Sequence, residues 1–294
     1  IEAFHCIGLP YGFEDIKCCI TDHDAFKHIE NRLLIEHAEA VETVAWQSLM
    51  KGYYKKDMKP IKKASEMNLE ELGAYIDQSV LKPEFTQEEI RKYIQEGIDY
   101  KCKTVCINPA SIDIANEMTK GTATKVCAVC DFPFGTSATE SKAIQAEECC
   151  KKGIFELDIV ANYGWIKSGM WKEVEEDIRA VNEVCKKYNV ALKVIFETDA
   201  LTIDEVKKAT EAAIAAGADF VKTSTGFFTG GKNEGATVEV IKAMMDTAKG
   251  RCKVKGSGGI RTREYFLELI DMGIDRMGVG YKSTPVVLGL DKAG

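Results

Sequence analysis

The chain has 294 residues, enough for one large domain or two small ones. At 45% hydrophobic and 29% charged it has the make-up of a globular protein, which excludes wholesale disorder and fibrous repeats. A formal net charge of −7 argues against nucleic acid as the main partner, and no uncharged apolar run approaches the ~20 residues of a membrane span.

Residues 1–66 differ from the rest. The chain's start carries Glu2, Glu14 and Asp15 and no basic stretch, so it does not read as a secretory leader. Beginning at Ile1, it is expected to have lost its start methionine. Leu34, Val41, Ala45 and Leu49 recur at helical spacing and predict one or two amphipathic helices over roughly 24–52. The lysine-rich stretch 51–63, with Pro60, predicts a linker. Residues 1–66 are therefore expected to form a helical extension, packed on the outside of a main domain (67–294) or at a contact between subunits of a homo-oligomer.

From residue 67 the sequence alternates. A first strand is predicted to end near Ile76-Asp77, and Thr86 with Glu89 is a capping box opening a helix over 86–99. Strand 104–107 and helix 110–119 follow, then strand 125–129 and helix 138–152. Next come strand 156–160, helix 169–188, strand 190–196 and helix 202–216, which Ala216-Gly217 closes. Strand 220–222, helix 236–249, strand 253–255, helix 262–272 and strand 276–279 complete the series. Eight strands with seven intervening helices predict an α/β fold, the (β/α)8 TIM barrel. A doubly wound open sheet fits less well, because no G-x-G-x-x-G follows the first strand.

The eleven cysteines are odd in number and scattered, with adjacent pairs at Cys18-Cys19 and Cys149-Cys150. That pattern predicts reduced thiols in a cytoplasmic protein. Cys127 and Cys130 form a C-x-x-C among apolar neighbours, and without a second pair or a nearby histidine they predict buried strand cysteines, not zinc. All four histidines, His5, His23, His28 and His37, precede residue 38. Chemistry in the main body therefore proceeds without a histidine base, a histidine metal ligand or a Ser-His-Asp triad. No metal or other cofactor is expected.

In such a barrel the chemistry lies at the C-terminal ends of the strands. Those ends are predicted to hold Asp77, Cys106, Asp131, Asp158, Lys193, Lys222 and Lys255. Three lysines on consecutive strands, within otherwise apolar runs, stand out, because burying an unpaired ammonium is costly. A free lysine, with a pKa of about 10.4, is only about 0.1% neutral amine near pH 7.4. A second ammonium and desolvation depress such a pKa and free the lone pair to attack a carbonyl. The iminium so formed is an electron sink for carbon–carbon cleavage or formation, and a carboxylate such as Asp158 can move the protons.

Here the residues resemble a known family. Phe220-Val221-Lys222-Thr223-Ser224-Thr225-Gly226-Phe227 resembles the Schiff-base segment of deoxyribose-phosphate aldolases. Val105-Cys106-Ile107-Asn108-Pro109, Phe132-Pro133-Phe134-Gly135-Thr136, Glu156-Leu157-Asp158-Ile159-Val160 and Leu192-Lys193-Val194-Ile195-Phe196-Glu197-Thr198 are similar to its other strand segments. Lys255-Gly256-Ser257-Gly258-Gly259-Ile260-Arg261-Thr262 resembles its lysine and phosphate-loop segment. The likeness runs in chain order over about residues 70–290. It implies a class I aldolase that cleaves 2-deoxy-D-ribose 5-phosphate to acetaldehyde and glyceraldehyde 3-phosphate. It implies Lys222 as the imine-forming nucleophile, Lys255 as the ammonium beside it and Asp158 as the acid/base. It further implies Asp77, Ser79, Cys106, Lys193 and Thr223 around the substrate, with Gly226, Gly258, Gly259 and Gly280 near its phosphate.

The sequence departs from that pattern in places. The first-strand stretch reads Asp77-Gln78-Ser79-Val80-Leu81, where many members carry a histidine and a threonine. After Gly278 the expected serines are replaced by Gly280 and Tyr281, and Lys232-Asn233-Glu234 interrupts a run of glycines. Two alternatives stay open: an aldolase for a different, unphosphorylated aldehyde pair, and a non-catalytic barrel used for binding or assembly. The near P-loop Gly226–Asn233 fails because Asn233 stands where a magnesium-binding hydroxyl is required. An all-carboxylate magnesium site at Asp131 and Glu197 is weaker than satisfied strand-end carboxylates. Trp46, Trp165 and Trp171 lack the basic interleaving of a base-stacking platform.

Overall fold

A computed structural model describes residues 62–290. The predicted helices over 24–52 and nearly all of the predicted linker lie outside them. The described chain begins with a 3-10 turn at Ala64–Glu66, where the N–H of buried Ala64 donates to Asp271 at 2.9 Å.

Eight parallel strands close into a barrel in sequence order. In chain order the elements are α1 (Leu69–Gly73), β1 (Ile76–Val80), α2 (Gln87–Asp99), β2 (Thr104–Ile107), α3 (Ile112–Thr119), β3 (Lys125–Cys130), α4 (Thr139–Lys151) and β4 (Glu156–Val160). There follow α5 (Tyr163–Lys167), α6 (Trp171–Lys187), β5 (Ala191–Ile195), α7 (Ile203–Ala215), β6 (Phe220–Lys222), α8 (Val238–Ala248), β7 (Lys253–Ser257), α9 (Arg263–Asp271), β8 (Arg276–Gly280) and α10 (Thr284–Leu288). The (β/α)8 fold expected from the sequence is the fold observed.

Local chemistry sets the boundaries. Thr86 and Glu89 make the expected capping box at the start of α2, and Thr202 with Glu205 makes another at α7. The end of α7 passes through Gly217 at φ +83°, a left-handed conformation that glycine enters without a Cβ clash. Three short helices, α1, α5 and α10, were not predicted. Each is five residues long and too short to show a helical period.

The first strand needs a correction. It begins at Ile76 and runs to Val80, whereas the sequence suggested that it ended near Asp77. Asp77 is thus near the N-terminal end of its strand, and Ser79 is nearer the mouth.

Strand alternation divides the residues into two sets. Leu157 and Ile159 of β4, Leu192 and Val194 of β5, Val221 of β6 and Val254 of β7 join the large apolar layer shared with the helices. Their neighbours of opposite parity face the barrel interior, where Leu81, Cys106, Cys127 and Val129 form a small separate apolar cluster. That interior parity also carries Asp77, Glu156, Asp158, Lys193, Lys222, Lys255 and Arg276, all buried.

Candidate active site

Asp158 is the hub of the site. It is in the middle of β4, fully buried, and its carboxylate meets an ammonium from each of the three following strands. Lys193 of β5 donates to Oδ1 at 2.8 Å. Lys222 of β6 and Lys255 of β7 both donate to Oδ2, each at 2.8 Å. The ladder brings this about, since Asp158 pairs with Lys193 across β4–β5 and Lys222 pairs with Lys255 across β6–β7. The Cys127 thiol adds a donor to Oδ1 at 3.1 Å.

A second charged layer lies beneath. Asp77 Oδ2 is 2.6 Å from the Lys255 ammonium, and Glu156 Oε2 is 2.6 Å from that of Lys193. Arg276, the first residue of β8, bridges these carboxylates, with Nη1 at 2.6 Å from Asp77 and 3.1 Å from Glu156. Thr104 of β2 donates its hydroxyl at 2.8 Å to Asp77 Oδ1, the oxygen that Arg276 also holds. Each buried charge therefore has an opposite charge in contact, as a dry interior demands.

These contacts set the acidities. Burial alone would push the Asp158 carboxyl up, but the ammonium groups of Lys193, Lys222 and Lys255 outweigh it and hold it well below the usual carboxylate range. Asp77 is likewise driven down against burial, by Arg276, Lys255 and Lys193. Burial disfavours the charge on Lys255, yet Asp158 and Asp77 raise its pKa above the ordinary lysine value. Lys193 is raised as well, by Asp158 foremost among its partners, again against burial. Lys193 and Lys255 are thus fixed cations.

Of the residues predicted at strand ends, Lys222 closes β6 and Asp131 directly follows β3. Asp158, Lys193 and Lys255 lie mid-strand, one layer deeper than predicted. Lys193 and Asp77 are fully buried, as Asp158 and Lys255 are; Lys193 contacts Asp158 directly, and Asp77 contacts Lys255 from the layer beneath. Cys106 is buried in β2 beside Ser79, its ladder partner on β1. The Thr223 hydroxyl donates to the Ser257 carbonyl at 2.8 Å and accepts the Ser257 N–H at 2.9 Å, pinning β6 to β7. Asp131 and Glu197 are satisfied carboxylates: Asp131 accepts from Ser137, and Glu197 accepts from the N–H and hydroxyl of Thr225.

The glycines follow or form the C-terminal ends of the neighbouring strands β6, β7 and β8. Gly226, Gly258 and Gly259 have φ of +81°, +82° and +75°, and among the described residues their N–H groups have no protein acceptor. A cup of such N–H groups suits an anion. At Gly280 an added Cβ would meet nothing within 4 Å. The neighbouring Tyr281 ring lies 4.0 Å from that of Tyr93 and 5.2 Å from that of Phe85, so it packs over α2. The interrupting segment is tied back by Asp199, which accepts the N–H groups of Glu234 and Gly235, each at 2.9 Å.

Cys106, Cys127 and Asp158 bring ligand-type atoms within 4.8 Å of one another, the one such group among the described residues. Lys193 lies against that group, 3.3 Å from the Cys127 sulfur and 2.8 Å from Asp158 Oδ1.

Sequence reasoning missed Glu156, Arg276 and Cys127 as members of the site. Glu156 and Asp158 differ by one strand period, so alternation alone puts both inward. Cys127 was read as a buried strand thiol, and buried it is, but it faces the barrel axis.

Residues 72–289 match the model of the DeoC/LacD family aldolases. The chain is 44% identical over 204 residues to deoxyribose-phosphate aldolase 1 of Staphylococcus aureus, a match covering 69% of this chain and 90% of that protein. It is 43% identical over 208 residues to the deoxyribose-phosphate aldolase of Finegoldia magna, covering 71% and 95%. The tetrameric deoxyribose phosphate aldolase of Aeropyrum pernix superposes with a TM-score of 0.67 at 26% identity, covering 82% of this chain and 95% of that one.

Proposed function

The chain belongs to the DeoC/LacD family of aldolases, and from that premise we propose that it is a class I aldolase cleaving 2-deoxy-D-ribose 5-phosphate reversibly to acetaldehyde and D-glyceraldehyde 3-phosphate. One observation carries the reading: Lys222, at the end of its strand, shares one carboxylate oxygen of Asp158 with Lys255. A nucleophilic amine, a proton carrier and a fixed cation thus meet at one atom.

The chemistry follows from those roles. The Lys222 ammonium passes its proton to Asp158, and the free amine attacks the aldehyde carbon of the open-chain sugar. Asp158, with Lys255 and water, supplies the proton that lets the carbinolamine lose water and become an iminium. Asp158, ionised again, takes the proton from the C3 hydroxyl through water, the C2–C3 bond breaks, and its electrons flow into the iminium as an enamine. Glyceraldehyde 3-phosphate leaves first. Protonation of the enamine carbon and hydrolysis then release acetaldehyde and restore Lys222. Ser79 and Cys106 line the approach, and the cup of Gly226, Gly258, Gly259 and Gly280 receives the phosphate. No helix among the described residues is long and apolar enough to cross a membrane; the free, buried cysteines there are in keeping with a reducing, cytoplasmic setting. The tetrameric Aeropyrum pernix relative supports a homo-oligomeric assembly. The test is turnover: aldehyde release from 2-deoxyribose 5-phosphate, abolished in Lys222→Ala, is expected. A folded wild-type protein without turnover would favour a binding role.

A further inference from the structure

The layer under the lysines has no place in the reaction steps above, yet it is built at high cost. Burying carboxylates and a guanidinium is unfavourable unless each is paired, and an apolar layer of similar volume would serve folding as well. What the layer touches is therefore informative. Asp77 Oδ2 contacts Lys255, and Glu156 Oε2 contacts Lys193. Those two lysines hold opposite oxygens of Asp158, Lys255 on Oδ2 and Lys193 on Oδ1. Two residues contact both lower carboxylates: Lys193, 2.6 Å from Glu156 and 3.6 Å from Asp77, and Arg276, which hydrogen-bonds to both, through Nη1 to Asp77 and through Nη1 and Nη2 to Glu156.

Resting on the aldolase reading, we propose that Arg276 is a positioning residue for the reaction. It keeps Asp77 and Glu156 charged and side by side, so that they press Lys255 and Lys193 against the two oxygens of Asp158. The side-chain type fits the task. Guanidinium does not lose its proton in proteins, and its rigid planar fork holds two carboxylates in one fixed geometry.

Charge counting gives the idea a sign. Around the axis stand three carboxylates, Asp77, Glu156 and Asp158, and three cations away from the mouth, Lys193, Lys255 and Arg276. Lys222 is the added amine at the top. The other groups facing this set are the Thr104 hydroxyl from β2, the Cys106 and Cys127 thiols from β2 and β3, and the Phe220 ring from β6. That ring lies 5.6 Å from the Arg276 guanidinium and 5.1 Å from the Lys253 ammonium. Removing one buried positive charge makes every interior proton bind more tightly, and removing one negative charge does the reverse. Arg276→Met and Glu156→Gln must therefore displace the pH profile in opposite directions.

The experiment compares Arg276→Met, Arg276→Lys, Glu156→Gln and the double variant Arg276→Met/Glu156→Gln with wild type. It uses full-length protein checked for folding by circular dichroism. The readouts are kcat, KM and the pH dependence of kcat/KM for 2-deoxyribose 5-phosphate. Arg276→Met is expected to lose about tenfold or more in kcat with little change in KM, its acid limb moving to higher pH. Glu156→Gln should move the acid limb to lower pH. The double variant should return it close to wild type, and Arg276→Lys should recover part of kcat. Shifts of the same sign, or a folded Arg276→Met with an unchanged profile, would overturn the proposal. If Arg276→Met does not fold, a double variant displaced as far as Glu156→Gln overturns it equally. Borohydride trapping on wild type separates the two readings. Absence of an adduct on Lys222 breaks the aldolase mechanism, whereas an adduct without opposed shifts breaks only the role of Arg276.

Discussion

At the scale of single residues, the site turns on how one carboxylate is shared. Lys222 and Lys255 hold the same oxygen of Asp158, so their removal should have different consequences. Lys255→Leu deletes a fixed cation and leaves Asp77 and Asp158 short of a partner. It is expected to cut kcat by about 10²-fold or more and move the acid limb of the profile upward. A near-wild-type rate and profile would contradict this. Asp158→Asn should still allow an adduct to be trapped on Lys222, while slowing turnover by roughly 10²–10⁴-fold through lost proton transfer. Single-turnover measurements distinguish the two stages. The lysines were legible in the sequence because charge is conspicuous in an apolar run. Arg276 was not, since it opens its strand and reads as a solvated edge residue. Nor does buried charge always mean chemistry. Lys142 of α4 is buried too, 2.7 Å from Asp177, outside this cluster.

At the scale of elements, strand and helix limits were largely readable. Strands β2, β4 and β6 run as expected, because β-branched runs bounded by polar turns leave little latitude. The first strand was misplaced by its own polar residues: Asp77, Gln78 and Ser79 do not look like strand interior, and tertiary pairing with β2 and β8 decides the matter. The loop after β8 has a functional consequence. Tyr281 packs against Tyr93 and Phe85, and Gly280 leaves open space where a hydroxyl donor would be useful. A hydrogen bond to a charged acceptor is worth about 1.5–3 kcal/mol, or roughly 10- to 150-fold. Gly280→Ser should therefore raise the preference for 2-deoxyribose 5-phosphate over 2-deoxyribose, measured as a ratio of kcat/KM, by about tenfold or more. An unchanged ratio would show that the phosphate does not reach this loop.

At the scale of the whole molecule, the charged interior ties stability to pH. Asp77 and Asp158 have folded pKa values below the ordinary ~3.9, so they stabilise the fold fully above about pH 4. That contribution disappears as pH falls through their folded values. Lys193 and Lys255 are shifted upward, so their contribution is full below about pH 10.4 and is lost as pH rises beyond it. From these groups a Tm plateau between roughly pH 4 and 10 is expected, and a loss beginning near pH 6 would contradict the assignment. Every candidate group lies between Asp77 and Gly280, and the aligned 204 residues make up 90% of the staphylococcal relative. Removing residues 1–61 should thus affect stability or assembly more than kcat, as activity per folded molecule would reveal. The fold was legible because alternation repeats along the chain; the depth of the charged layers was not, because it depends on register between strands. The most direct measurement is borohydride reduction of the enzyme with 2-deoxyribose 5-phosphate or acetaldehyde, followed by peptide mass spectrometry. The account predicts a reduced two-carbon adduct on Lys222 with acetaldehyde; an adduct on Lys193 or Lys255 instead, or no adduct in an enzyme that turns over, would contradict it.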